Sequence, residues 1–248
     1  MEKLTRRQFL KLGGGAALGV GMLGTSACAR PAPPPPSEAT PAQPTQVEET
    51  VDLPEPRLNG EMSVEEAIEG RRSERDFKDQ PLNIEQVSQL LWAVQGITDP
   101  RGFRAAPSAG ATYPLDVYLV VGEKGVDELQ AGIYHYRVRE HALRFITGGD
   151  MRTPLATACL AQMFIADAPI AMVITAEYAR TTGRYGERGI RYVYMEVGHV
   201  GQNIHLQAEA LGLGTVVIGA FIDKAVSEVL RLPKEQEPLY VMPVGYHH

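Results

Sequence analysis

The chain has 248 residues, a formal charge of −6 at neutral pH, 44% apolar residues and two cysteines. That acidic balance tells against nucleic acid, or an anionic membrane surface held by charge alone, as a partner. Two cysteines cannot build a disulfide scaffold.

The first 28 or so residues form a targeting segment rather than part of the fold. Residues 5–11, TRRQFLK, set Arg6 and Arg7 before Phe9, Leu10 and Lys11 and a glycine-rich apolar run, the pattern of a twin-arginine export signal. The run is too short and too weakly apolar for a convincing bilayer span. The twin-arginine route moves proteins already folded, so the leader predicts a cofactor assembled in the cytoplasm and an extracytoplasmic destination. Ser26-Ala27-Cys28 resembles the end of a lipoprotein box, and a lipid anchor at Cys28 is expected; cleavage between small residues nearby is the alternative. The leader carries four basic side chains and one acidic one, so the exported part is near −9. Residues 29–57 hold nine of the 18 prolines and few apolar side chains, the composition of a semi-rigid tether.

Residues 58–248 remain, enough for one domain with a substantial core. Ser63 followed by Glu66 is a capping box and predicts a short helix to about Glu69. Asn83 and Gln86 repeat it, ahead of Ile84, Val87, Leu90, Leu91 and Val94 on one helical face. LDVYLVVG is a strand; AGIYHYRV and HALRFI form a hairpin. Thr153-Pro154 starts a helix through Phe164, and APIAMVITA is a buried strand. The segment YARTTGRYGERGIRY is expected as a mobile lid. From Ile190 to Leu211 apolar residues recur at helical spacing until Gly212. TVVIGA is a strand, Asp223 caps a last helix, and PLYVMPVG closes the chain. Helices and strands mix without strict βαβ alternation, so the class is α+β.

Two stretches carry candidate chemistry. Arg71, Arg72, Ser73 and Arg75 put three guanidinium groups and a hydroxyl within five residues, a composition suited to a dianionic phosphate. A surface turn paired to Glu69, Glu74 and Asp76 is the alternative. Pro107, Ser108, Ala109 and Gly110 bring small residues before a strand, which permits close approach of a flat ligand or simply makes a tight loop. LGLGTVVIGAF has the glycines of a dinucleotide fingerprint in the wrong order, since its glycines follow a helix and precede a strand. There is no HExxH, no GxSxG and no zinc set.

Taken in order, RRSERDF, PSAGATYPLDVYLV, AQMFIADAPIAMVI, RYVYMEVGHVGQNIHLQAEALGLGTVVIGAF and PLYVMPVGY resemble the nitroreductase-fold flavoproteins, and most closely their SagB-type dehydrogenase branch. The resemblance covers nearly all of residues 60–246. It implies an α+β fold with a central, mostly antiparallel sheet flanked by helices, a long helix at a homodimer interface, and FMN bound in that interface. It assigns Arg71, Arg72, Ser73 and Arg75 to the flavin phosphate and ring, and Pro107, Ser108, Ala109 and Gly110 to the loop contributed by the second subunit. It places Gln162 near the ring and Ile218 and Gly219 at the strand end whose backbone faces the isoalloxazine. Relatives often add basic phosphate contacts near the C-terminus; this chain has none there.

The implied activity is two-electron hydride transfer through FMN, to or from a small molecule or peptide. In azoline-oxidising relatives a Lys-Tyr pair serves the proton step; Arg191-Tyr192 is the nearest match here. Arginine stays charged and cannot act as a neutral base, which leaves Tyr192 as the candidate proton donor or acceptor, unless it only packs. Little NAD(P)H exists outside the membrane, so an extracytoplasmic substrate or a membrane redox partner is expected. A flavin-binding or electron-relay lipoprotein without turnover of its own is the alternative.

Overall fold

Residues 49–248 are described by a computed structural model. The export leader, Cys28 and the tether up to residue 48 lie outside the described residues. Seven strands make one sheet: β1 (Thr50–Asp52), β2 (Leu115–Val121), β3 (Gly132–Arg137), β4 (Ala142–Gly148), β5 (Ile170–Ala176), β6 (Gly214–Thr215) and β7 (Glu237–Gly245). Their spatial order is β1-β4-β3-β2-β5-β7-β6 and every neighbouring pair is antiparallel, which bears out the α+β expectation.

On β2, Leu115, Val117, Leu119 and Val121 point to one side and Tyr118 and Val120 to the other, and all are buried. The polar-out half of the usual alternation is missing because helices cover both faces. One face carries α2 (Ile84–Gln95) and the 23-residue α6 (Arg188–Ala210). The other carries α3 (Arg152–Ala158), α4 (Phe164–Asp167) and α7 (Asp223–Leu230). Both expected capping boxes are present, on α1 (Val64–Gly70) and on α2. Asn203 Nδ2 donates to the Ala93 carbonyl at 2.9 Å and ties α6 to α2.

Five expectations are corrected. The helix expected from Thr153 to Phe164 starts at Arg152 and breaks after Ala158, with Leu160 and Ala161 both left-handed at φ 58°. The carbonyls at its end are taken by one tertiary and one local donor: the Ile222 N–H bonds Ala158 at 3.0 Å and the nearby Gln162 Nε2 bonds Cys159 at 2.8 Å. The strand expected over residues 215–220 shortens to β6, after which Ile218 alone bridges to Val241. Asp223 is the first residue of α7, with Ile222 at the cap position. The expected lid is folded as α5 (Ala179–Tyr185), which Arg180 pins by ion pairs to Asp116 at 2.8 Å and Glu177 at 2.7 Å. Finally, the fold begins before Leu58. β1 pairs with β4, Leu53 is buried, and the Arg57 N–H donates to Gln89 Oε1 at 2.8 Å. Prolines dominate residues 29–57, but polar-apolar alternation in Thr50-Val51-Asp52-Leu53 is what places a strand there.

Candidate functional site

The arginine segment follows the end of α1 and runs along β6, where Ser73 bridges Thr215 and the Glu74 N–H bonds the Thr215 carbonyl at 3.0 Å. Among the described residues, Arg71, Arg72 and Arg75 form no ion pair with Glu69, Glu74, Asp76 or any other carboxylate. Arg72 Nη1 donates to the carbonyls of Glu69 and Arg71, closing the end of α1. Arg75 lies over the Phe164 ring, 6.0 Å from its centroid, and is exposed. Arg71 is half-buried beside His205, whose pKa falls to about 4, first through burial and then through the Arg71 charge.

Gln162 and the 218–220 segment complete this corner. Gln162 Nε2 donates to the Ala220 carbonyl at 3.0 Å and so holds that segment in place. Ile218 does not offer its backbone to a ligand: its N–H and C=O both bond Val241, at 2.9 and 3.0 Å, and its side chain is core. Of the pair, only Gly219 is exposed, with open space where a Cβ would stand. The sequence did not mark Leu160, Phe164 or Met163 for this corner. Leu160 and Met163 are exposed and Phe164 half-buried, an apolar floor beside the cations. Three guanidinium groups without carboxylate partners, the exposed Ser73, an open glycine and an apolar floor fit FMN.

The second predicted loop forms a separate corner. Ser108 Oγ accepts from the Tyr113 N–H at 2.9 Å, and Arg184 Nη1 of α5 donates to the Gly110 carbonyl at 3.1 Å. Gly110, Ala111 and Tyr113 all have positive φ (61°, 53° and 47°). Such strain in and next to non-glycine residues persists where surroundings impose it, commonly at ligand sites. Pro107, Ser108 and Ala109 share a cavity of about 300 Å³ with Tyr192, Met195, Glu196 and His199 of α6. Tyr192 stands edge-on to Tyr185, 5.2 Å between centroids, with Arg188 5.8 Å from its ring. A larger cavity, about 830 Å³, lies elsewhere, between residues 57–62, α2 and the end of α6, and holds none of the predicted residues. Among the described residues no cluster could hold a metal ion, and no helix is long and apolar enough to cross a membrane.

The structure does not bring the two corners together. Glu196 marks the serine corner and His205 the arginine corner. Nine residues put them about 14 Å apart along α6 and half a revolution apart around it. The helix body therefore stands between them.

The sequence pattern of the nitroreductase family matches residues 68–246. The chain belongs to the nitroreductase family. A protein of Methanocaldococcus jannaschii named as a nitroreductase is 46% identical over 198 residues, covering 79% of this chain and 97% of its own. A solved Ralstonia eutropha structure named as a nitroreductase superposes with a TM-score of 0.70 at 29% identity, over 81% of this chain and 90% of that one. The Escherichia coli microcin B17-processing protein McbC is 28% identical over 180 residues, 66% of this chain and 62% of that protein. Family membership makes this nitroreductase an oxidoreductase with a nitroreductase-like sheet and long helix.

Proposed function

We propose that this nitroreductase is a homodimeric, FMN-dependent oxidoreductase of the SagB-type dehydrogenase branch. It is exported by the twin-arginine route, anchored through Cys28, and transfers hydride to or from a small molecule or peptide outside the membrane. The observation that carries the reading is the arginine corner: three guanidinium groups without carboxylate partners, in an acidic chain, beside Ser73 and Gly219. FMN, when bound, supplies the two-electron chemistry; the chain binds, orients and tunes it.

Two copies are needed because one chain separates its two corners. The outer stripe of α6 is free for pairing: Arg191, Tyr194, Met195, Gly198, His199 and Gln202 are exposed at helical spacing. A twofold crossing there would bring the arginine corner of one copy to the serine corner of the other. The McbC likeness favours a peptide substrate, whereas Arg191 in place of lysine tells against azoline oxidation. Scarce NAD(P)H outside the cell favours electrons from an extracytoplasmic substrate or a membrane redox partner.

The test is an absorbance spectrum of the purified full chain, with denaturation to release the flavin. Flavin bands and free FMN support the reading; a colourless, folded dimer that refuses added FMN sinks it. Stopped-flow mixing then separates turnover from relay. A relay lipoprotein, once reduced, would be reoxidised only by a protein partner.

A further inference from the structure

Glu196 is a charged residue on the core-facing side of α6, 2% exposed. It stands beside the Ser108 hydroxyl, the Gln95 amide and the Arg104 guanidinium. Ser108 Oγ already accepts from the Tyr113 N–H, so its own hydrogen is left to donate to Glu196. Arg104 Nη1 is committed to Gln95 Oε1 at 2.8 Å. Gln95 Nε2 and Glu196 Oε1 are both buried without a well-formed hydrogen bond. A buried carboxylate oxygen left so is costly. Glu196 also lines the cavity it shares with Pro107, Ser108, Ala109, Tyr192 and His199. Tyr192 lies four residues earlier, on the same side of the helix.

We propose that Glu196 is the proton-exchanging residue of the active site, its weakly held carboxylate oxygen taking up and returning the proton that accompanies hydride transfer. The proposal rests on the flavin reading. In the dehydrogenation direction bound FMN would accept the hydride from the substrate carbon. The N–H or O–H proton on the adjacent heteroatom passes to the Glu196 carboxylate, and a C=N or C=O bond forms. In the reverse direction with a quinone, bound reduced FMN would supply the hydride to one oxygen. The Glu196 carboxyl gives its proton to the other, yielding the hydroquinone.

Burial raises the Glu196 pKa above the ordinary glutamate value, against the Ser108 hydroxyl, the Gln95 amide and the Arg104 charge. The titratable groups beside it are Tyr192 and His199, which flank it on α6 and line the same cavity, and Arg104 from the neighbouring loop. A group whose pKa moves toward the working pH is suited to exchange protons.

The experiment uses the full chain with FMN bound, its flavin photoreduced, then mixed with menadione between pH 5 and pH 9. The wild-type reoxidation rate should fall as pH rises and the carboxyl ionises. Glu196→Gln should keep its flavin, react about 100-fold slower or more and lose that pH limb. Glu196→Asp should restore part of both. Thermal unfolding of the flavin-free chains supplies the second readout. The native state holds the Glu196 proton to higher pH than the unfolded chain, so wild-type stability falls as pH rises through the raised pKa. Glu196→Gln should remove that fall and melt higher at pH 8 than the wild type. An unchanged rate and pH limb in Glu196→Gln overturns the proposal and leaves the flavin reading intact. A lower melting temperature at every pH, with flavin lost, would make Glu196 structural and also overturn it. A wild-type chain that binds no FMN sinks the flavin reading, and the proposal falls with it, whatever the melting curves show.

Discussion

Arg71→Ala and Arg75→Ala probe the arginine corner most directly. Arg75 is exposed, and its one hydrogen bond within the chain, from Nη1 to the Ser73 carbonyl, is 3.4 Å long. Removing it strands no buried group, so flavin-free stability should change by no more than about 0.5 kcal/mol. A charge-assisted bond to phosphate is worth about 1.5–3 kcal/mol, which is about 10- to 150-fold in Kd. Arg71 and Arg75 together should cost about 3–6 kcal/mol if they act independently, and less if they share one phosphate oxygen. The assay is quenching of flavin fluorescence on titration with the flavin-free chain, run with FMN and with riboflavin, which lacks the phosphate. FMN affinity should collapse toward that of riboflavin while riboflavin affinity holds. Equal losses for both ligands, or no loss for FMN, would refute phosphate binding by this segment and return it to a surface turn.

Burial, with the Arg71 charge, depresses His205 to about 4, whereas an unfolded histidine titrates near 6.5. Between those values the unfolded chain binds the extra proton. The His205 contribution should therefore be constant above about pH 6.5 and fall toward pH 4 by up to about 3 kcal/mol; urea unfolding of the wild type and His205→Gln over that acid range checks this, the variant giving the flatter profile. Starting the chain at Leu58 rather than Gln46 deletes β1, exposes the edge of β4, and removes the Pro54 carbonyl that accepts from Ser88 Oγ at 2.6 Å. Calorimetry should show a loss of about 2–4 kcal/mol from the buried Leu53 and the lost Ser88–Pro54 hydrogen bond. Tyr192→Phe should keep the flavin and change stability little, because among the described residues its hydroxyl makes no hydrogen bond, yet should slow hydride transfer in stopped-flow.

What was legible in the sequence was what is local in the chain. Capping boxes declare themselves within four residues, and β2 and β5, but for Asp116 and Thr175, are apolar because both their faces are covered. The arginine segment and the Pro107–Gly110 loop were each found as short runs of suitable residue types. Glu196 escaped because its setting comes from Gln95, Arg104 and Ser108, about 90–100 positions away; the signal was present only as a glutamate on the buried side of the α6 pattern. The break after Ala158 escaped for a related reason. Leu160 and Ala161 are ordinary helix formers, and a backbone donor from Ile222 competes for the turn. Ile218 was assigned a ligand-facing backbone by resemblance, but β7 claims both its polar groups.

Gly198 decides between a free helix face and a buried one. It sits near the middle of α6, exposed, with nothing within 4 Å of where its Cβ would be. In a solvent-facing helix a glycine costs about 1 kcal/mol relative to alanine. Nothing inside the subunit offsets that cost, since no neighbour of its own chain approaches. A second copy laid across Tyr194, Met195 and Gln202 would offset it, because only glycine lets two helix backbones come close. The sign of one substitution separates the cases. If the face is free, Gly198→Ala stabilises the subunit by about 0.5–1 kcal/mol and leaves its mass in solution unchanged. If the proposed dimer crosses at Gly198, the added methyl lies between two helices. Sedimentation equilibrium should then show weaker dimerisation, and FMN affinity should fall with it, because neither corner holds the flavin alone. A more stable variant with undiminished association and flavin content would move the dimer contact off this face.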